Sequence, residues 1–158
     1  MIFVTLGTQD KSFHRLLIEL DRMIDKGIIT DKVIVQAGHT KYLSENMEIF
    51  DFISSEQFND YIEQCECLIT HGGVGSIISG LNYQKPVLAV ARLAKYDEHE
   101  NDHQVEIIQK FVKFNYIIGC LNIEELEFEF PKIYTFKVLA YKSNNEKFCD
   151  LMINLINK

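Results

Sequence analysis

Three short stretches hold residue types that could do chemistry together. The first is Gly7-Thr8-Gln9, a glycine, a hydroxyl and an amide in a row. The second is His71-Gly72-Gly73-Val74-Gly75-Ser76, three closely spaced glycines followed by a hydroxyl. Glycine lets the backbone approach a ligand closely, and unpaired N–H groups at a helix start form an anion site. A phosphate held there gains hydrogen bonds and a helix-dipole contribution of roughly 0.3 to 1 kcal/mol. The spacing is not GxGxxG, and either string taken alone also serves as an ordinary strand-to-helix turn. The third stretch is Glu98-His99-Glu100-Asn101-Asp102-His103-Gln104. Within it, His99-Glu100-x-x-His103 matches the HExxH string of zinc hydrolases, in which two histidines on one helix bind the metal and the glutamate is the base. That reading needs a helix packed in the core. Here the preceding Lys95-Tyr96-Asp97-Glu98 is solvent-loving and Asp102 suits a helix N-terminus, which leaves His99 outside the helix.

The elements that must position these stretches follow from hydrophobic periodicity. Apolar runs of strand length alternate with helix-periodic segments. Ile2 to Leu6 reads as a strand. A helix from about Ser12 to Lys26 follows, with Phe13, Leu16, Leu17, Leu20, Met23 and Ile24 on one face. Lys32 to Ala37 is a second strand and Glu48 to Ile53 a short third. Ser54 with Gln57 forms a capping box opening a helix to about Glu66, and Cys67 to Thr70 is the next strand. After the glycine-rich turn come a helix to about Tyr83, the strand Pro86 to Val90, a polar loop, a helix from about Asp102 to Phe114 and the strand Tyr116 to Gly119. Leu121 to Phe136 is acidic and aromatic without a clear period, and is expected to hold only a short helical turn. Ser143 with Glu146 opens a final amphipathic helix over about 144–157, with Phe148, Leu151, Met152, Leu155 and Ile156 on one side.

This βαβα order predicts an α/β, Rossmann-like fold, a mostly parallel sheet with helices on both faces, because parallel neighbours need crossover connections. Ligands then belong at the carboxyl ends of the strands. All three stretches fall on that edge, so Thr8 and Ser76 are expected to converge on one diphosphate.

Composition narrows the function classes. The 158 residues suit a single domain over 1–158. A formal charge of −7 argues against nucleic-acid binding, which needs a basic stripe. Cys65, Cys67, Cys120 and Cys149 lack paired CxxC spacing, so reduced, buried thiols are expected rather than a zinc ribbon or a disulfide framework. The N-terminus lacks a basic region and its apolar run breaks at Gly7, unlike a secretion signal. No stretch approaches the ~18 apolar residues of a membrane span, so a cytoplasmic protein is expected.

Taken in order, these elements resemble the carboxyl-terminal, donor-binding half of GT-B glycosyltransferases, in the family 28 form found in MurG-like enzymes. The likeness runs from Met1 to about Phe114. It is nearest to the stand-alone form: the catalytic subunit of the dolichol-linked N-acetylglucosaminyltransferase and the bacterial glycosyltransferase subunits of capsule and exopolysaccharide synthesis. The resemblance implies that Gly7-Thr8-Gln9 and His71 to Ser76 hold the diphosphate of a UDP-sugar, that backbone at Phe52-Ile53 meets the nucleobase, and that Asp102-His103-Gln104 reads the sugar hydroxyls. Where the family usually places a ribose-binding glutamate three residues beyond Ser76, this chain has Ser79. A serine cannot hold both ribose hydroxyls in bidentate fashion.

The resemblance further implies inverting sugar transfer to a lipid-linked saccharide, active only with a partner, since one half of a GT-B cleft is incomplete. That partner would be a membrane-associated acceptor-binding subunit, which would recruit this chain to the inner face of the membrane and supply the general base. The final helix is a candidate docking element for it. Arg92 and Lys95 are candidates for electrostatic help to the departing UDP. No Asp-x-Asp element is present, so no cofactor or metal is expected. A non-catalytic nucleotide-binding module fits the same residues.

Overall fold

A computed structural model describes residues 1–141. The expected final helix over about 144–157 and Cys149 lie outside the described residues. In chain order the elements are β1 (Ile2–Thr5), α1 (His14–Asp25), β2 (Val33–Gln36), β3 (Met47–Phe50), α2 (Ser55–Gln64), β4 (Cys67–Thr70), α3 (Val74–Asn82), β5 (Val87–Val90), α4 (His103–Lys113) and β6 (Ile118–Cys120). The described strands form one sheet in the order β3-β2-β1-β4-β5-β6, and every pairing is parallel.

All four residues are buried in each of β1, β2, β4 and β5, whereas edge strand β3 buries only Met47. A parallel sheet covered on both faces accounts for these unbroken apolar runs. Alternate β1 residues serve the two faces. Ile2, Val4 and Leu6 pack with Leu16, Leu17, Leu20 and Met23 of α1. Phe3 points the other way, into a cluster with Ile62 of α2, Ile77 and Leu81 of α3, and Ile108 and Phe111 of α4. Full burial of one such side chain is worth about 1.5 to 3 kcal/mol, so α1 and the α2–α4 layer are each anchored several times over.

The stretch after β6 departs from expectation. It holds three short helical pieces, Ile123–Glu125, Leu126–Glu129 and Phe130–Tyr134. Leu126, Phe130 and Ile133 are buried in the α1-side cluster, with Ile123 packed against it. These four positions do follow helical spacing, but Pro131 and the acidic residues between them mask it. β6 likewise begins two residues later than the Tyr116 start read from the sequence, because Asn115 takes a left-handed turn with φ 57°. Cys65, Cys67 and Cys120 are free, buried thiols; burial pushes Cys65 up to about 11 and Cys120 up to about 12. Among the described residues no helix is long and apolar enough to cross a membrane.

Candidate functional site

The strand order reverses direction between β1 and β4, the switch point where open α/β sheets bind ligands beyond the strand ends. Thr5 pairs with Thr70 in register, so the two central strands end level and their loops leave side by side. Between them opens a cleft of about 620 Å³, within the range of small-molecule sites. Gly7, Thr8 and Gln9 line it from the first loop, and His71, Gly73, Gly75 and Ser76 from the second.

His71 joins the loops. Its backbone N–H donates to the Thr5 carbonyl at 3.2 Å, and its ring Nδ1 lies 3.3 Å from the same oxygen. Both flanking glycines are needed for the ring to fit. A Cβ on Gly7 would sit 2.5 Å from His71 Cε1, and one on Gly73 would meet His71 Nε2. Gly7 and Gly72 also have φ of 75° and 86°, conformations that L side chains rarely adopt. Burial, then the Arg92 guanidinium, pushes the imidazole down to about 4. His71 is therefore neutral near pH 7. With Nδ1–H donating to Thr5, Nε2 is left as an acceptor.

Gly73 is the N-cap of α3 and has no side chain to cap the helix. The N–H groups of its first turn point toward the strand-end side, where a helix terminus favours an anion. Thr8 is exposed and Ser76 half-buried, so both hydroxyls are accessible. No lysine or arginine is among the described residues lining the cleft; the groups it offers an anion are backbone dipoles and hydroxyls.

The third stretch divides. Gln104 is 5% exposed and lines the cleft, and its Oε1 is buried without a hydrogen-bond partner. Asp102 is turned to structure: Oδ1 accepts from the Ala94 N–H at 2.9 Å. The His103 N–H donates to Asn101 Oδ1 at 3.1 Å, and neither residue lines the cleft. His99 meets the Gln9 side chain at 3.1 Å, joining the first and third stretches. Since α4 begins at His103, His99 and His103 do not share a helix, and the geometry that the HExxH string requires is missing.

Gly72 and Val74 lie beside the lining residues without lining the cleft themselves. Ile53 lines it; Phe52 is half exposed and packs edge-on against His39 at 5.2 Å. Arg92 is not at the cleft surface. It is 1% exposed, and its guanidinium donates to three backbone carbonyls. Lys95 lies over the Tyr96 ring at 4.8 Å and also stays out of the lining. Neither of the two residues expected to help electrostatically touches the cleft: burial commits Arg92 to carbonyls, and Lys95 lies on an aromatic face.

Sequence reasoning missed Thr5, Gln36, Ser55, Phe58 and Asn59, which complete the lining; Ser79, at the position where the family usually has its ribose-binding glutamate, lines the same cleft. Ser55 and Asn59 are four apart on α2, and Ser76 and Ser79 three apart on α3, spacings that put each pair on one helix face. Polar pairs of this kind were the available signal, but their spacing does not say which faces meet.

Comparison with known proteins bears on this arrangement. Residues 1–154 match the glycosyltransferase family 28 C-terminal domain. The chain is 38% identical over 90 residues to the UDP-N-acetylglucosamine transferase subunit ALG13 of Candida albicans, covering 57% of this chain and 29% of that protein. It is 28% identical over 137 residues to the same-named subunit of Debaryomyces hansenii, covering 78% and 60%. The matches thus span less than two thirds of these relatives' own lengths. An NMR solution structure of ALG13 superposes with a TM-score of 0.61 at 20% identity, covering 99% of this chain and 96% of that one.

Proposed function

The chain belongs to the glycosyltransferase family 28 C-terminal domain family, and on that premise we propose that it is the donor-binding catalytic subunit of a two-component inverting glycosyltransferase that uses a UDP-sugar. The observation that carries this reading is the shared cleft at the β1/β4 switch point, walled by the Gly7-Thr8-Gln9 loop and the open start of α3. A diphosphate is the ligand whose charge and length suit two adjacent N–H- and hydroxyl-bearing turns.

In the proposed reaction an acceptor hydroxyl oxygen attacks the anomeric carbon from the face opposite the diphosphate. The bond from that carbon to the diphosphate oxygen breaks as the new bond forms, and UDP departs with the electron pair. The first-turn N–H groups of α3 and the Thr8 and Ser76 hydroxyls stabilise the charge gathering on UDP. Preorganised donors of this kind are worth about 2.7 to 4 kcal/mol each in the transition state. Gln104, which lines the cleft, meets a sugar hydroxyl, and Asn59 with Ser79 takes the ribose in place of a carboxylate.

The acceptor's proton goes to a base on a partner subunit, membrane-associated and carrying a lipid-linked saccharide. The word "subunit" in the relatives' names supports such a partner, and those names make UDP-N-acetylglucosamine the first donor to try. A role in surface polysaccharide synthesis rests on the family resemblance alone. The test is calorimetric titration of the full chain with UDP, with and without EDTA, followed by a transfer assay with the partner. Binding that survives EDTA, and transfer only in the two-component mixture, are the expected results. Absence of UDP binding at millimolar concentration overturns the reading.

A further inference from the structure

Arg92 is the largest fully buried side chain among the described residues and does not touch the cleft. Its Nη1 donates to the carbonyls of Lys11 at 2.7 Å and Glu98 at 3.0 Å, and its Nη2 to the carbonyl of Leu6 at 2.6 Å. Leu6 and Lys11 bracket the Gly7–Asp10 turn, so one planar group holds both ends of the loop that carries Thr8. Glu98 belongs to the connection between β5 and α4, which leads to Gln104. The guanidinium also lies over the Phe13 ring at 5.2 Å, at the start of α1.

Burying this cation is costly, and stability alone does not explain it. The Glu98 carboxylate is committed to Arg15, with both contacts at 2.8 Å, and to the Leu93 N–H at 3.0 Å. Arg92 therefore rests on carbonyl dipoles, and its Nε is left without a partner. An apolar side chain of similar volume would fill the space without that desolvation penalty. What it would not do is bind three carbonyls from two loops at fixed angles, for which the rigid guanidinium fork is suited.

Resting on the donor-site reading above, we propose that Arg92 is a positioning residue: a buried staple that closes the Gly7–Asp10 loop at both ends and ties it to the β5–α4 connection, so that Thr8 and Gln104 face one ligand. A lysine keeps the charge, but its one nitrogen cannot occupy both the Nη1 and Nη2 positions and so cannot hold all three carbonyls at the fork's fixed angles. A methionine keeps much of the volume and reaches none.

The test uses full-length Arg92→Lys and Arg92→Met. Amide hydrogen exchange is followed in the ligand-free proteins, with the α2 amides as internal reference, and UDP affinity is measured by calorimetry. In Arg92→Lys, exchange at residues 7–11 and 93–101 should quicken by about tenfold or more while α2 is unchanged. UDP Kd in the same variant should weaken by about tenfold, and further in Arg92→Met. Unchanged loop exchange overturns the proposal, as does loosened exchange with Kd within about twofold of wild type. If Arg92→Met does not fold, Arg92→Lys carries the test. If the wild-type chain binds no UDP, the donor reading falls and the exchange result alone decides the staple.

Discussion

Two helices enter the fold beside the same cleft, and their entrances are built in opposite ways. At α2, the Ser54 hydroxyl accepts from the Gln57 N–H at 3.1 Å, and the Gln57 side chain accepts from the Ser54 N–H at 3.2 Å. That entrance is closed by its own residues. At α3, Gly73 offers no side chain, and His71 packs beneath against the glycines. Each pattern satisfies or exposes the orphan N–H groups that every helix start carries. The contrast teaches that one helix entrance beside this cleft is closed by its own side chains while the other is left open by withholding a cap, and the following experiments challenge that contrast.

The largest effect is expected at the open entrance. Ser76→Ala removes one hydroxyl from the first turns of α3 and should lower the transfer rate, assayed with the partner present, by about 100- to 1000-fold. A change of less than threefold would mean that the backbone does the work without it.

Acid should act beneath the same entrance. The folded value of His71, about 4, lies below the ordinary histidine value of about 6.5 in the unfolded chain. Between these values the unfolded chain holds the extra proton, so the neutral ring's contribution is complete above pH 6.5 and is lost as pH falls through 4. The loss is roughly 3 kcal/mol. Urea unfolding of wild type and His71→Asn should show the stability difference between them shrinking by about that amount from pH 7 to pH 4. Parallel pH profiles would show that His71 is not held neutral by the fold.

Gly73→Ala sharpens the steric side of the comparison. Its Cβ must displace the His71 ring, at about 2 to 3 kcal/mol, so UDP affinity should drop by up to about 100-fold in a titration. The closed entrance gives the smallest response. Ser54→Ala should cost about 1 kcal/mol of stability in urea unfolding and leave UDP affinity within about twofold. A loss of UDP binding there would erase the distinction between the two entrances.

The elements and the site were legible in the sequence to different degrees. β4 appears where Cys67 to Thr70 was read, and the Ser54–Gln57 capping box forms as expected, because both depend on local chemistry. The covering role of Leu126, Phe130 and Ile133 was not legible, since it comes from packing against α1 and not from a continuous helix. At the cleft, Thr8, His71 and Ser76 stood out by residue type. Ser55, Asn59 and Gln36 did not, because a polar residue on a helix or at a strand end carries no mark of which neighbour it will face.

Composition and periodicity by themselves determined the alternating α/β order and the placing of the two glycine turns at the carboxyl edge of the sheet. All of these are properties of short stretches of chain. Only the tertiary structure decided that Thr5 and Thr70 end in register, that His71 is gripped between Gly7 and Gly73, and that Arg92 serves loop carbonyls from beneath and not the cleft itself. Those outcomes depend on contacts between residues tens of positions apart, and a side chain's charge or hydrogen-bonding capacity does not specify its partner until the sheet order has brought the loops together.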